Sequence, residues 1–385
     1  MRIADVSFYY NRGETDAQAI LYRHRVNLEY VRYLPSGCRC AVIKFMDAAT
    51  RFLNEGVDYH FFRGGGAGVY PHAALSLLKA FEPDLVLIHG FIYPWQAFLV
   101  RKTLGKKAVI FLQHHGETVP GGWRKWLMKE ADSHVNGYFF TSKAIADNWI
   151  KEGVISSSLK VAEVLTGSSA LILPGSMAST LLVVGDPVLL WVGRLDHNKD
   201  PLTVLEGFSM FLKKVPGARL YMIYQSEETP GALQAVVDAD DSLSNTVRLV
   251  GAIKYEDLAN WYLAADFFVA GSHREACGYA LLEAMSCGCI PVVTDIPAFR
   301  KITDEGRVGF LYEPGNQEAL LQALNKAWET DRGSMKKKVI AHFHERLSFA
   351  AIAEQIVSAC REMISSKGMD SRRRKGSKGA KEVNQ

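Results

Sequence analysis

Short strand-like runs and helical stretches take turns along nearly the whole chain, and this alternation restricts its folding more than any single motif. "RIADVSFYY", "CAVIKF", "VDYHFF", "DLVLIHG", "KAVIFLQHH" and "GYFFT" are rich in β-formers. Helical patterns lie between them, as over Asp16–Tyr33, His72–Phe81 and Ser142–Glu152. Strands separated by helices of this length build βαβ units and hence parallel sheets. The pattern lapses in the Gly/Ser/Thr-rich "LTGSSALILPGSMASTLLVVGDP" and restarts with "VLLWVG", "ARLYMIY", "VRLVG", "DFFVAG", "CIPVVT" and "GFLY". Ser348 is placed to cap a last amphipathic helix running to about residue 365.

A chain of 385 residues with 48% hydrophobic content is long enough for two full cores. The expected fold class is therefore α/β, with two doubly wound domains in tandem. Their expected extents are 1–170 and 187–345, joined by a linker at 171–186. A helix over 346–366 is expected to pack back on the first domain, ahead of a disordered basic tail at 367–385. Ligands of such domains bind beyond the carboxyl ends of the strands, here in the cleft between the two domains.

Charge and apolar runs exclude several classes. No stretch of about 18 apolar residues exists to span a membrane. The start, "MRIADVSFYYNRG", lacks the basic-then-apolar order of a signal peptide, so a cytoplasmic protein is expected. The net charge of +4 comes from the tail, where residues 367–385 hold seven Lys/Arg and two Asp/Glu. The other 38 basic and 39 acidic residues nearly cancel, which argues against a nucleic-acid partner. The tail is short of apolar residues and reads as solvated, with an anionic lipid surface as its alternative partner. Neither Cys38/Cys40 nor Cys287/Cys289 has C-x-x-C spacing, so reduced core thiols are expected.

Chemistry concentrates in "HREACGYALLEAMSCGCIPVVTD", which carries Glu275 and, eight positions on, Glu283. Leu281, Leu282, Ala284 and Met285 lie all round the helix expected from Gly278, so that helix should be buried. A buried carboxylate has to be paired or hydrogen-bonded. Glu275 stands between a strand end and a helix N-terminus, where free N–H groups favour anionic or hydroxyl-rich ligands. Both glutamates are suited to accept from vicinal hydroxyls. The plainer alternative has Glu275 capping its helix and Glu283 paired with a buried arginine. In "LLWVGRLDHNKDP", Arg194 and Lys199 follow a buried strand and precede a helix opened by Asp200-Pro201. Two cations there suit a diphosphate; ordinary surface charge is the alternative.

These stretches resemble the retaining nucleotide-sugar glycosyltransferases of family 4 (glycosyl transferases group 1), which have the GT-B fold of two Rossmann-like domains facing across a cleft. The resemblance runs through most of Pro187–Leu324, including "VGRLDHNKDP", the glutamate pair and "VGFLYEPGNQEAL". It implies that Arg194 and Lys199 hold the donor diphosphate. Glu275 and the backbone of Ala276, Cys277, Gly278 and Tyr279 would hold the donor sugar, Ser272 would lie at the sugar pocket, and Glu283 would hold the ribose. In the first half, "FLQHHGE" is similar to the strand-plus-histidine placed opposite the donor sugar, with His115 the match and His114 the alternative. Two departures stand out. Where the family has a glycine-rich loop after the first strand, "YYNRGETDA" has only Gly13, and Arg300 stands where relatives commonly carry an acidic residue.

The implied reaction is retaining transfer of a sugar from a nucleoside diphosphate, expected to be UDP, to a hydroxyl of a glycan, lipid-linked or small-molecule acceptor. Leaving-group stabilisation by Arg194, Lys199 and the helix N-terminus would be the main catalytic contribution. No Asp-x-Asp signature stands out, so neither a metal nor another cofactor is expected. The segment "GWRKWLMKEA" sets Trp123 and Trp126 among Arg124, Lys125 and Lys129, which suits either packing on the domain or rest on an anionic membrane at its inner face. A nucleotide-sugar epimerase, a sugar phosphorylase and a non-catalytic nucleotide-sugar-binding subunit are the other readings this fold permits.

Overall fold

The computed structural model describes residues 1–385 apart from 67, 166, 169–170, 172–182, 226–229 and 380–385, so most of the expected linker lies outside the described residues. The chain divides into two compact units, Met1–Thr166 with Ile352–Gln385, and Gly167–Ala351.

The first unit is built on an eight-stranded sheet. Its strands are β1 (Arg2–Asn11), β2 (Arg39–Met46), β3 (Thr50–Asn54), β4 (Val57–Arg63), β5 (Leu85–His89), β6 (Val109–Gln113), β7 (Gly137–Phe140) and β8 (Val161–Glu163). They lie in the order β3-β4-β2-β1-β5-β6-β7-β8, parallel except for the β3/β4 hairpin. Val6, Ile43, Ile88 and Ile110 put one face of the sheet into a continuous core. Ile3, Val42 and Leu87 are buried as well, at positions of the opposite alternation, so the central strands are covered on both faces.

The second unit holds a six-stranded parallel sheet. It comprises β9 (Val188–Gly193), β10 (Arg219–Tyr224), β11 (Val247–Gly251), β12 (Phe267–Ala270), β13 (Ile290–Thr294) and β14 (Phe310–Tyr312), in the order β11-β10-β9-β12-β13-β14. Its core gathers Leu189, Trp191, Met222, Val269 and Val292 with the helix face of Leu205, Phe208 and Phe211.

Two elements differ from expectation. The helix expected over Asp16–Tyr33 is broken at His24 into Ala17–Arg23, Arg25–Leu28 and a tighter turn at Glu29–Tyr33, which brings the Tyr30 hydroxyl 2.6 Å from Asp5 Oδ2. The last helix starts at Phe349, with Ser348 Oγ accepting from Ala351 N, and runs to Gly379. Residues 367–379 of the expected tail fall within the bounds of that helix. Among the described residues no helix is long and apolar enough to cross a membrane.

Candidate functional site

In the second sheet the chain moves outward from β9 to β10 and β11, then returns to the other side of β9 for β12, β13 and β14. Loops leaving the carboxyl ends of β9 and β12 therefore diverge, and the crevice at such a reversal is where doubly wound sheets bind ligands. The two sequence constellations are those two loops. Arg194–Asp200 leaves β9, and Gly271–Gly278 leaves β12.

Hydrogen bonds from the backbone and side chain of Asn198 hold the loops to each other. His273 N donates to Asn198 O at 2.8 Å and Arg274 N to Asn198 Oδ1 at 3.1 Å, while Asn198 Nδ2 donates to Arg274 O at 3.1 Å. Asp200 caps the helix Pro201–Leu212 through Thr203 N and lies 3.1 Å from His273 Nε2. The approach is close enough that a Cβ on Gly271 would meet Asp200 O at 2.7 Å. Across this seam Lys199 Nζ forms an ion pair with Glu275 Oε1, both side chains mostly buried. Arg194 lies at the rim, its side chain 70% exposed and 3.2 Å from Asp196 Oδ2. Ser272 is buried, and its carbonyl accepts from Thr294 Oγ1 at 2.6 Å.

The helix Tyr279–Ser286 begins behind Gly278, whose φ of +68° is left-handed. A Cβ there would lie 2.6 Å from the Phe299 ring, so the position excludes side chains twice over. No side chain caps this helix. Ala276 and Tyr279 are half-buried and Cys277 is buried, its thiol donating to Gly167 O at 3.4 Å, so at Cys277 only the backbone is offered to a ligand. Glu283 is buried, with two tyrosines among its partners. Tyr255 donates to Oε1 and Tyr262 to Oε2, each at 3.1 Å. Burial first, then the Glu283 carboxylate, pushes the Tyr262 phenol well above its ordinary value, which keeps it a donor. Arg300 grips Asp295 with two nitrogens.

The structure thus gathers Arg194, Lys199, Ser272, Glu275, Ala276, Cys277, Gly278, Tyr279 and Glu283 on the second unit. His115 belongs to the first unit, just past β6. Its ring is half-buried, and its backbone N–H donates to Glu117 Oε2 at 2.7 Å. His114 is buried against Phe140, with Nε2 2.9 Å from Glu117 O, so His115 is the more accessible of the two histidines. The loop expected to differ, around Gly13, is tied to Asp47 through Gly13 N at 2.6 Å and the Tyr10 hydroxyl. Sequence reading missed Asp5, His89 and Glu117, which surround His115. A charged residue inside the apolar strand "RIADVSFYY" was the available signal. The helix Gly122–Asp132 buries Met128 and Ala131 yet leaves Trp123 and Trp126 exposed, and Trp123, Leu127 and Met128 line a cavity of about 820 Å³ with Trp95 and Glu117.

A doubly wound unit with paired cations and carboxylates at its strand reversal, joined to a second parallel-sheet unit, defines a GT-B glycosyltransferase that uses nucleotide sugars. The family pattern described as Glycosyl transferases group 1 matches residues 176–375, more than half of the 385 residues, and the chain belongs to that family. A GDP-mannose:cellobiosyl-diphosphopolyprenol alpha-mannosyltransferase of Xanthomonas oryzae pv. oryzae (strain PXO99A) is 27% identical over 261 residues, covering 66% of this chain and 67% of that protein. The glycosyltransferase of Rickettsia africae ESF-5 superposes with a TM-score of 0.68 at 16% identity, over 94% of this chain and 98% of its own. Anabaena Alr3699/HepE in complex with UDP superposes with a TM-score of 0.65 at 15% identity, over 94% of this chain and 100% of its own. At such identities the solved structures establish the fold alone.

Proposed function

We propose that this chain transfers a sugar, with retained anomeric configuration, from a nucleoside-diphosphate sugar to an acceptor hydroxyl. The observation that carries this reading is the Lys199–Glu275 pair at the reversal between β9 and β12. Arg194 and Lys199 grip the diphosphate, and the uncapped N-terminus of the helix Tyr279–Ser286 adds N–H groups and dipole as charge builds on the leaving phosphate. Glu275 and the backbone of Ala276–Tyr279 hold the sugar beside Ser272, and Glu283 holds the ribose. The acceptor hydroxyl attacks on the face from which the phosphate leaves, and its proton passes to that phosphate. His115 hydrogen-bonds a hydroxyl of the reacting pair.

UDP is the nucleotide we assign, with GDP as the competitor because the mannosyltransferase relative is named for GDP-mannose. The apolar, tryptophan-lined cavity on the first unit supports a lipid-linked or otherwise amphiphilic acceptor in polysaccharide biosynthesis. Exposed Trp123 and Trp126 beside Arg124, Lys125 and Lys129 support peripheral contact with an anionic membrane from the cytoplasmic side. The reaction needs no metal, since the cations that neutralise the phosphates are side chains.

The test incubates the protein with UDP- and GDP-hexoses, with and without decyl glucoside as acceptor and with and without EDTA. Release of one nucleoside diphosphate, accelerated by acceptor and indifferent to EDTA, is expected. No release above buffer from any donor would reject the enzymatic reading in favour of a binding subunit. Sugar conversion without transfer would indicate an epimerase.

A further inference from the structure

Glu283 lies in the helix Tyr279–Ser286 with 6% of its surface exposed. The last torsion of a glutamate is broad and roughly two-fold, so burial by itself does not set the plane of its carboxylate. A tyrosine reaches each oxygen. Tyr255 donates its hydroxyl to Oε1 and Tyr262 donates its own to Oε2, both at 3.1 Å. A phenol brings one hydrogen and a carboxylate only accepts, which fixes the direction of both bonds. Burial and then the charge of Glu283 raise the Tyr262 phenol well above its ordinary value, so it keeps that hydrogen.

The two tyrosines come from one short stretch, "YEDLANWY", and stand seven residues apart. That is about two helical turns, which brings both side chains to one face. Their anchorage differs. Tyr262 belongs to the helix Leu258–Ala264 and is fully buried, its ring centroid 6.1 Å from that of Phe268 in β12. Tyr255 opens the turn Tyr255–Asp257 beyond β11 and is half-buried. Neither carries charge, so they orient the carboxylate without cancelling its own. Each oxygen offers two lone pairs, and one phenol does not exhaust it. A carboxylate held in plane before a diol arrives loses less freedom when it binds.

We propose that Tyr255 and Tyr262 are positioning residues that hold the Glu283 carboxylate in the plane that receives the two hydroxyls of a ribose. The inference rests on the reading of Glu283 as the ribose-holding residue of a nucleotide-sugar transferase. It gives two residues outside the glutamate motif a share in choosing a ribose over a sugar that lacks those hydroxyls.

Titration calorimetry compares UDP and GDP with their 2′,3′-dideoxy forms on the full-length protein and on Glu283→Gln, Tyr262→Phe and Tyr255→Phe. Wild type should bind one ribonucleotide at least about tenfold more tightly than its dideoxy form, as hydrogen bonds to a charged group require. Glu283→Gln should bring that ratio to about threefold or less, which tests the reading of Glu283 itself. Each tyrosine variant should lower the ratio at least about threefold, with dideoxy affinity within about twofold of wild type. Phenylalanine keeps the ring, so a bond that served only to pack the helices would weaken both nucleotides alike or neither. Tyr255 is half-buried, and its variant carries the test if Tyr262→Phe does not fold. A wild-type ratio in either folded tyrosine variant, or a parallel loss of both nucleotides, overturns the proposal. If the ratio is lost in Glu283→Gln but kept in the tyrosine variants, this inference alone fails. A wild-type ratio in Glu283→Gln, or a wild type that binds neither nucleotide or shows no preference for ribose, defeats the ribose reading and the inference with it.

Discussion

Glu283 sits between Tyr255 and Tyr262, each donating at 3.1 Å, whereas Glu275 pairs with the mostly buried ammonium of Lys199. Each carboxylate oxygen offers two lone pairs, so a single donor does not exhaust it. Replacement by Gln should therefore give two different defects. Glu275→Gln removes the charge nearest the reacting groups, and the loss should appear mainly in kcat. Glu283→Gln should weaken nucleoside diphosphate binding itself and cost roughly 1–2 kcal/mol of stability, because one tyrosine must turn its hydroxyl to meet an amide N–H. Melting curves, nucleotide affinity and turnover on both variants check this; two destabilised proteins with normal kcat and affinity would make the pair structural.

At the scale of elements, the site depends on a strand–loop–helix junction that only glycine can turn. Gly278→Ala should destabilise the second unit by at least about 1–2 kcal/mol, the cost of a left-handed non-glycine residue, before the contact with Phe299 is added. A thermal melt of that variant indistinguishable from wild type would contradict the junction described. Junctions of this kind were legible because a buried strand, a Gly and an apolar helix leave few alternatives. The hairpin β3–β4 was not read: "TRFLN" is mostly exposed, and only Glu55-Gly56, both at positive φ, marks its two-residue turn. The cluster of Asp5, His89 and His115 escaped notice for another reason. Asp5 lies on β1, His89 ends β5 and His115 follows β6, far apart in sequence, and only the order β1-β5-β6 makes them neighbours. The loops around Glu275 and Lys199 were legible as a pair only through resemblance, since their 76-residue separation carries no local signal.

Across the whole molecule, buried histidines set the response to pH. Burial lowers His24 to about 4 and also lowers His114, His115 and His342 below their ordinary value. In the unfolded chain these rings take protons near pH 6.5, so acidification favours the unfolded state from there down to the folded values. Tm should fall between pH 7 and 5, a window above that in which the lowered carboxylates Asp5, Asp47 and Asp58 protonate. A flat Tm across that window would show these histidines to be hydrated. The proposed transfer requires the second unit to hold a nucleoside diphosphate at Arg194 and Lys199. Arg194 is well exposed, so its truncation leaves the fold alone and isolates binding. Titration calorimetry with UDP and with GDP should show one of them binding wild type, and Arg194→Ala weakening that nucleotide more than about tenfold, as loss of a charge-assisted contact worth about 1.5–3 kcal/mol requires. Equal affinity in the two proteins, or no binding of either nucleotide to folded wild type, contradicts it.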